Sequence, residues 1–405
     1  MQLFYKTFWL LAVYVPLGAA GDSTDLTQGF LIAVVLDMIV SPCRLPLAMR
    51  TRSRSNHRGT PNQPDAHKDG TSLMRSSRAC QLSPFGVPII ACALLVGLSP
   101  QKATAQVARI EVHPIETLTL TDQQVLTGAK DGKKVIIAGE LRIPRAGADR
   151  MPAVVIVHGS GGIGGNYDRW SQELNGVGIA TFVIDGFTGR GILSTVEDQE
   201  QLGRLTMIYD VYRALALLTA HPRIDRARIA LLGGSRGGQI ALYASLKRFQ
   251  RAYGLAGVEF AAYLPLYAPC NTTYIDDIDV SDRPIRLFHG SADDYDPVAP
   301  CRAYVERLRE AGKDVELTEY PDAQHVFDNP LFSTTPVWWP QAQTTRRCTL
   351  KEEPLGRIID AETHRPFTYA DPCVERGVHV AYNPSAHAAA IHAVKEFLRT
   401  TFKLN

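Results

Sequence analysis

Membrane-length apolar runs, a strong excess of one charge and metal-binding motifs are all missing from this 405-residue sequence. The three apolar runs near the start, residues 8–18, 30–40 and 87–98, are each shorter than the roughly 20 residues that a membrane helix needs. The formal net charge is only +2, and lysines and arginines form no stripe, which argues against a nucleic-acid partner. The sequence therefore indicates a globular protein without a stable membrane span.

Motifs for metals and for nucleotide cofactors are also absent. There is no H-E-x-x-H and no Cys/His cluster, and His387 and His392 are five residues apart, so they do not share a helix face. The glycine-rich stretch 158–165 lacks the G-x-G-x-x-G spacing with an acidic residue at the end of the next strand. We therefore predict no metal and no cofactor.

Cysteine is scarce, and its distribution is uneven. Of seven cysteines, three lie in the first hundred residues, which leaves Cys270, Cys301, Cys348 and Cys373. An even number permits two disulfides in an oxidising compartment, with three possible pairings. Cys270 with Cys301 is favoured because both should lie near the carboxyl ends of adjacent strands, and Cys348 with Cys373 would then close a polar loop. The alternative is four reduced, partly buried thiols in a cytoplasmic protein.

A secretory signal peptide is predicted at an unusual place, residues 74–105. Met74 precedes two arginines, the apolar run 87–98 and Ala103-Thr104-Ala105, which is the order of a signal peptide cleaved after Ala105. We interpret residues 1–73 as a non-native or disordered extension; the alternative is a membrane-tethering N-terminus. The mature protein, 106–405, is then periplasmic or secreted.

From residue 106 onward, strand-like and helix-like segments alternate along one domain. Short links between them predict a doubly wound, mainly parallel sheet with flanking helices. Strands are predicted at 134–143, 152–157, 178–184, 228–232, 260–267, 285–288 and 315–320, and helices at 168–174, 199–220, 239–248, 298–311 and 385–402. Residues 329–383 depart from this alternation and are predicted to be a disulfide-stapled excursion.

The most informative motif is Gly233-Gly234-Ser235-Arg236-Gly237, a G-x-S-x-G sequence between an apolar strand and a helix. A serine on such a tight turn is held in a strained conformation with its oxygen above the sheet, so it can act as a nucleophile. The alternative is an ordinary Gly/Ser turn. The backbone N–H of Arg236, at the helix N-terminus, is a candidate oxyanion donor.

A serine nucleophile needs a base, and the base needs a group that orients it. Asp293 follows the strand at 285–288, and His325 follows the last strand, which gives the order Ser, Asp, His. We predict Asp293 as the acid and His325 as the base, with Asp294 and Asp296 as alternative acids. The second oxyanion donor is predicted to be Ser160 or Gly161.

With these residues in place, the sequence resembles the dienelactone hydrolase-like branch of the α/β-hydrolase superfamily over residues 135–402. The resemblance rests on the elbow and on four further motifs: His158-Gly159, Asp185-Gly186-Phe187 with Arg190-Gly191, Gly290 to Asp293 with Pro297, and Ala323-Gln324-His325 with Phe327. It implies the α/β-hydrolase fold. Type members resemble this pattern with cysteine at the elbow, whereas this chain has Ser235, which suits general ester hydrolysis.

These observations predict an exported serine hydrolase acting on small-molecule carboxylic esters or lactones through an acyl-enzyme intermediate. Arg190 could bind a substrate carboxylate, or could instead form an ion pair that holds its loop. The alternatives are a peptidase or acyltransferase on the same fold, or a non-catalytic binding protein that kept the pocket. The sequence does not determine the oligomeric state.

Overall fold

The computed structural model describes residues 107–145 and 149–404, so the predicted extension 1–73 and signal peptide 74–105 lie outside the described residues. The strands are β1 Val107–Thr119, β2 Lys133–Pro144, β3 Met151–Val157, β4 Ala180–Asp185, β5 Ile224–Gly234, β6 Ala262–Leu266, β7 Thr272–Thr273, β8 Ile285–Gly290, β9 Val315–Tyr320, β10 Val337–Thr344, β11 Leu350–Glu353, β12 Arg357–Asp360 and β13 Glu375–Val380. The helices are α1 Asp122–Leu126, α2 Gly165–Asn175, α3 Met207–Ala220, α4 Arg236–Tyr243, α5 Lys247–Tyr253, α6 Val298–Glu310 and α7 Pro384–Phe402.

The central sheet has eight strands in the order β1-β2-β4-β3-β5-β6-β8-β9. The pairs β1/β2 and β2/β4 are antiparallel, and the remaining strands run parallel. Strand β3 is buried along its whole length, as expected for a strand that helices cover on both faces. This is the mainly parallel sheet that the strand–helix alternation predicted, and it agrees with the α/β-hydrolase fold that the resemblance implies.

Two predicted helices are interrupted in the structure. The segment predicted as one helix from 199 to 220 has a short 3-10 turn, Gln199–Gln201, and the α-helix begins only at Met207. Its first part is not α-helical because the carbonyls of Gln199, Leu202 and Gly203 accept hydrogen bonds from the buried Arg236 guanidinium. The helix predicted at 239–248 is divided into α4 and α5, with Leu246 in extended conformation between them.

The excursion between β9 and α7 is more ordered than the sequence predicted. It contains four strands: β10 pairs with β13, and β11 pairs with β12 and with β7. Both disulfides have the favoured pairing, Cys270–Cys301 and Cys348–Cys373. The first joins the segment after β6 to helix α6, and the second lies within the excursion.

No helix in residues 107–145 and 149–404 combines the length and apolarity that a membrane crossing requires.

Candidate active site

Ser235 is the single residue between strand β5 and helix α4. Its backbone has φ 56° and ψ −122°, a conformation that is unfavourable for a residue with a side chain. The tight turn depends on its glycines: a Cβ on Gly233 would lie 2.2 Å from the carbonyl oxygen of Gly237, and a Cβ on Gly237 would lie 2.2 Å from that of Val157. The predicted strand–turn–helix elbow is therefore present.

His325 lies on the loop after β9 and contacts both other members of the predicted triad. Its Nε2 is 2.9 Å from Oγ of Ser235, and its Nδ1 is 2.7 Å from Oδ2 of Asp293. All three side chains are buried. The structure thus brings Ser235, His325 and Asp293 into one hydrogen-bonded chain, although 90 residues separate the serine from the histidine.

Asp293 is held in place as a carboxylate. Its other oxygen, Oδ1, accepts hydrogen bonds from the backbone N–H groups of Tyr295 and Asp296. Burial opposes ionisation of Asp293, but the charges and hydrogen bonds of His325 and His289 outweigh burial and hold its pKa well below the ordinary value. Burial lowers the pKa of His325, whereas the nearby Asp293 raises it. The net effect is a pKa above the ordinary value. His325 is therefore a stronger base than an ordinary histidine.

The two alternative acids have other surroundings. Asp294 points toward the excursion, where its carboxylate accepts from the backbone N–H of His379 and contacts the ring nitrogen Nδ1 of the same residue. Asp296 is buried, and its Oδ2 lies 4.0 Å from Nε2 of His325, too far for a hydrogen bond. Burial raises the pKa of Asp296. Of the three aspartates, only Asp293 is hydrogen-bonded to His325 in the structure.

The glycine-rich loop after β3 lies directly against Ser235. A Cβ on Gly159 would come within 3.1 Å of Cβ of Ser235, so the loop backbone approaches the serine closely. The N–H of Gly159 donates to the Tyr167 hydroxyl, and the N–H of Gly162 donates to the carbonyl of Gly159. The N–H groups of Ser160 and Gly161, the two predicted donors, lie between these occupied positions in the sequence.

His158 positions this loop and is uncharged. Its Nδ1 contacts the carbonyl of Gly159 at 2.8 Å, and its Nε2 accepts from the N–H of Gly186 at 3.0 Å. Burial lowers the pKa of His158. The neutral imidazole, protonated on Nδ1, therefore joins the glycine loop to the turn at Asp185-Gly186-Phe187.

The side chain of Arg236 stabilises the segment 199–203, which lies beside the elbow. It is 1% exposed and donates to the carbonyls of residues 199, 202 and 203 and to the side-chain oxygen of Gln199. Burial and the neighbouring Arg204 lower the pKa of Arg236 to about 10, which leaves it charged at neutral pH. Gln199 in turn accepts from the hydroxyl of Ser160 and donates to that of Tyr295. This polar network fixes the loop that carries the predicted oxyanion donor.

Arg190 is not among the residues that line the cavity at Ser235. Its guanidinium makes a bidentate ion pair with Asp210, with two N–O distances of 2.8 Å, and donates to the carbonyls of Gly186 and Leu118 and to Thr119. These five bonds use all five N–H donors of an arginine. The structure therefore contains the ion-pair alternative, and no donor of Arg190 is left for a substrate carboxylate.

A cavity of about 190 Å³ opens beside Ser235 and His325. Its walls are mostly aromatic and apolar, and the excursion supplies Phe332, Trp339 and Val380. Trp338 and Trp339 lie in the segment predicted as an excursion. The sequence does not assign this segment to the site, because nothing in the local pattern shows that it folds back over the elbow. The residues lining this described cavity include no lysine, arginine, aspartate or glutamate.

A surface groove of about 810 Å³ adjoins the cavity. Gly161, Val196 and Trp339 line both spaces. Tyr295 also lines the cavity, with its ring centroid 4.6 Å from that of His325. Tyr295 was missed at the sequence level, since a tyrosine two residues after an aspartate carries no recognisable signal.

A protein-family model matches most of the described part of the chain. The model of the dienelactone hydrolase family matches residues 137–402 of the chain. The chain belongs to the dienelactone hydrolase family. The matched segment begins within β2 and covers every later element through the end of α7.

Individual relatives are more distant. A probable carboxylic ester hydrolase, LipM, of Mycobacterium tuberculosis is 29% identical over 163 residues, which cover 30% of this chain and 38% of LipM. The chain thus spans well under half of the length of that relative. The dienelactone hydrolase-like promiscuous phosphotriesterase P91, from metagenomic libraries, is 16% identical over 73% of this chain and 98% of its own, with a TM-score of 0.46. A hyperthermophilic esterase from the archaeon Pyrobaculum calidifontis is 17% identical over 55% of this chain and 77% of its own, with a TM-score of 0.39.

Proposed function

We propose that this dienelactone hydrolase family member is an exported serine hydrolase that cleaves carboxylic esters or lactones through an acyl-enzyme intermediate. The observation that carries the proposal is the continuous hydrogen-bonded chain from Ser235 through His325 to Asp293. Family membership and the named activity of LipM support ester hydrolysis.

In the proposed reaction, His325 accepts the hydroxyl proton of Ser235 on Nε2 while Oγ attacks the acyl carbon. Asp293 stabilises the imidazolium that forms. The backbone N–H of Arg236 and that of Ser160 or Gly161 donate to the oxyanion of the tetrahedral intermediate. His325 then gives the proton to the leaving alcohol, and water releases the acyl group from Ser235 by the same route.

The surroundings of Ser235 favour uncharged substrates with a small acyl group. The cavity of about 190 Å³ is smaller than the roughly 300–1,000 Å³ of typical small-molecule sites, and its lining carries no cationic side chain to pair with a carboxylate. We place the acyl group in this cavity and the alcohol part along the groove beyond Trp339. An anionic lactone such as those with a free carboxylate would find no ionic partner among these residues.

Active-site labelling tests the nucleophile. The purified protein is treated with a fluorophosphonate probe beside Ser235→Ala and the matched control Ser194→Ala, whose serine lines only the groove. We expect a single adduct on Ser235 in the wild type and in the control, and none in Ser235→Ala. Labelling that persists in Ser235→Ala, or a folded wild type that takes no label, would contradict the proposed mechanism.

A series of p-nitrophenyl esters with two, four and eight acyl carbons tests the size of the acyl site. We expect kcat/KM to fall from the short to the long ester, and Trp339→Ala to restore part of the activity on the long ester by joining cavity and groove. Trp338→Ala is the matched control because Trp338 is exposed and packs against His379 outside the cavity. Equal effects of the two substitutions would argue against this assignment.

Export is supported by the two disulfides, which are stable in oxidising compartments. N-terminal sequencing of the protein produced by its own cells tests it. A mature end near Gln106 is expected, and a mature protein that keeps residues before Met74 would contradict the predicted signal peptide.

A further inference from the structure

A cluster of two histidines and a glutamate lies away from Ser235, where strand β1 meets the end of helix α3. Nε2 of His113 is 2.9 Å from Oε2 of Glu111, and Nε2 of His221 is 3.3 Å from the same oxygen. One ligand atom from each residue lies within 4.8 Å of the other two. We propose that Glu111, His113 and His221 form a binding site for a divalent transition metal ion, with zinc as its best-suited occupant.

The fold explains why these three side chains meet. Glu111 and His113 are two residues apart on β1, so their side chains lie on the same face of the strand. Farther along the strand, the buried residues of this face pack against α3. His221 is the C-cap residue of α3, in the short turn that leads to β5 at Ile224. Because parallel strands carry Ser235 at their carboxyl ends, this junction lies at the opposite end of the sheet from the elbow.

The donor set suits zinc better than magnesium or calcium. Two imidazole nitrogens and one carboxylate oxygen are a common three-ligand set for Zn²⁺, with water in the fourth position, whereas Mg²⁺ and Ca²⁺ prefer oxygen alone. Tetrahedral ligands at about 2.1 Å from a zinc ion are separated from one another by about 3.4 Å. The observed nitrogen–oxygen distances of 2.9 and 3.3 Å need to change by only a few tenths of an ångström.

The carboxylate is oriented for such a role. Oε1 of Glu111 pairs with Nε of Arg109 at 3.0 Å, which leaves Oε2 facing the two imidazoles. The side chains of the three residues are between 11% and 25% exposed, so an ion has access from solvent.

Metal binding must replace three existing hydrogen bonds: the two between the imidazole Nε2 atoms and Oε2 of Glu111, and one at Nδ1 of His221. The backbone N–H of Arg223 donates to Nδ1 of His221 at 3.2 Å, so the metal-free imidazole carries its proton on Nε2 and donates it to Glu111. With zinc on Nε2, that proton moves to Nδ1, and the Arg223 N–H turns to water. Arg223 is exposed in a turn, so water can replace this bond.

A metal ion at this site would stabilise the edge of the sheet. Strand β1 is the edge strand and pairs only with β2 among the described strands. Coordination would join β1 directly to the end of α3, and it would stabilise the folded state because the site does not exist in the unfolded chain.

Metal titration of the chelator-treated full chain tests the proposal. We expect one zinc ion per chain at this site, a thermal midpoint that rises with zinc, and visible ligand-field bands of a tetrahedral centre when cobalt(II) replaces zinc. His113→Gln and His221→Gln should each weaken zinc affinity at least tenfold and abolish the midpoint shift. Two separate variants keep the test valid if one of them fails to fold.

The matched control is His379→Gln, which removes a histidine from another histidine–carboxylate pair, that with Asp294. It should retain the zinc affinity and the midpoint shift of the wild type. Zinc binding that is equal in wild type, His113→Gln and His221→Gln, or no binding by the folded wild type, would overturn the proposal. Because all readouts are binding and stability, a wrong assignment of the hydrolase reaction would not affect them.

Discussion

Nδ1 of His325 lies 2.7 Å from a carboxylate oxygen of Asp293, and both side chains are buried. The negative charge of Asp293 overcomes the effect of burial on His325, whose pKa is raised above the ordinary value of about 6.5. In the proposed reaction, His325 acts as a base only in its neutral form. The relationship between these two residues therefore sets the pH at which the proposed reaction begins.

The first prediction concerns this pH dependence. We expect kcat/KM of the wild type to rise with pH through an apparent pKa above about 6.5, since His325 must lose its proton to act as a base. Asp293→Asn should lower kcat by about 10⁴-fold, as in triads of the same kind, and shift the rising limb to lower pH. Asp294→Asn, which alters the neighbouring carboxylate that faces His379, is the control and should keep the limb in place. An unshifted limb in Asp293→Asn would assign the orienting acid elsewhere.

The second prediction concerns the strain at the elbow. Ser235 has φ 56° and ψ −122°, which glycine adopts without strain and alanine does not. We expect Ser235→Gly and Ser235→Ala to lose activity equally, by about 10⁶-fold, but Ser235→Gly to unfold at higher denaturant concentration, with about 1 kcal/mol more stability. Equal stability of the two variants would mean that the conformation at Ser235 stores no strain.

The third prediction separates the two roles considered for Arg190. Removing its guanidinium leaves Asp210 buried without its ion partner, so Arg190→Ala should lower the free energy of unfolding by about 3–5 kcal/mol. KM should change by the same factor for anionic and for neutral esters. Arg213→Ala, on the exposed side of the same helix α3 that carries Asp210, should change stability by less than about 0.5 kcal/mol. A selective rise in KM for anionic esters would instead show that Arg190 binds substrate.

The fourth prediction concerns the disulfide between Cys270 and Cys301, which closes a loop with a sequence separation of 31. Replacing both cysteines by serine should lower the free energy of unfolding by about 3–4 kcal/mol, because the unfolded chain regains the freedom of that loop. Chemical unfolding under oxidising conditions measures the difference. The Cys348→Ser/Cys373→Ser variant, with a separation of 25, provides a comparison and should lose a similar amount. A variant as stable as the wild type would contradict the loop-entropy argument.

The sequence by itself determined the features that depend on neighbouring residues. Gly233 and Gly237 around Ser235 are needed for a tight turn because a Cβ at either position would lie 2.2 Å from a backbone carbonyl oxygen. The elbow can therefore be recognised from its five-residue motif. The strand–helix alternation predicts the parallel sheet, and the sheet brings loops after successive strands to one edge. For this reason the order of Ser235, Asp293 and His325 along the chain predicts that they meet, with Asp294 and Asp296 as the alternative acids that the sequence left open.

Only the tertiary structure decided which side chains meet across long separations. Arg190 forms an ion pair with Asp210, and the fully buried Arg236 interrupts a predicted helix. Trp339 lines the cavity because the excursion folds back over the elbow. His221 joins Glu111 from 110 residues away, so no ligand spacing in the sequence could indicate that cluster. Local patterns fix backbone conformation, whereas the partner of a polar side chain depends on how distant segments pack, which no pattern of adjacent residues records.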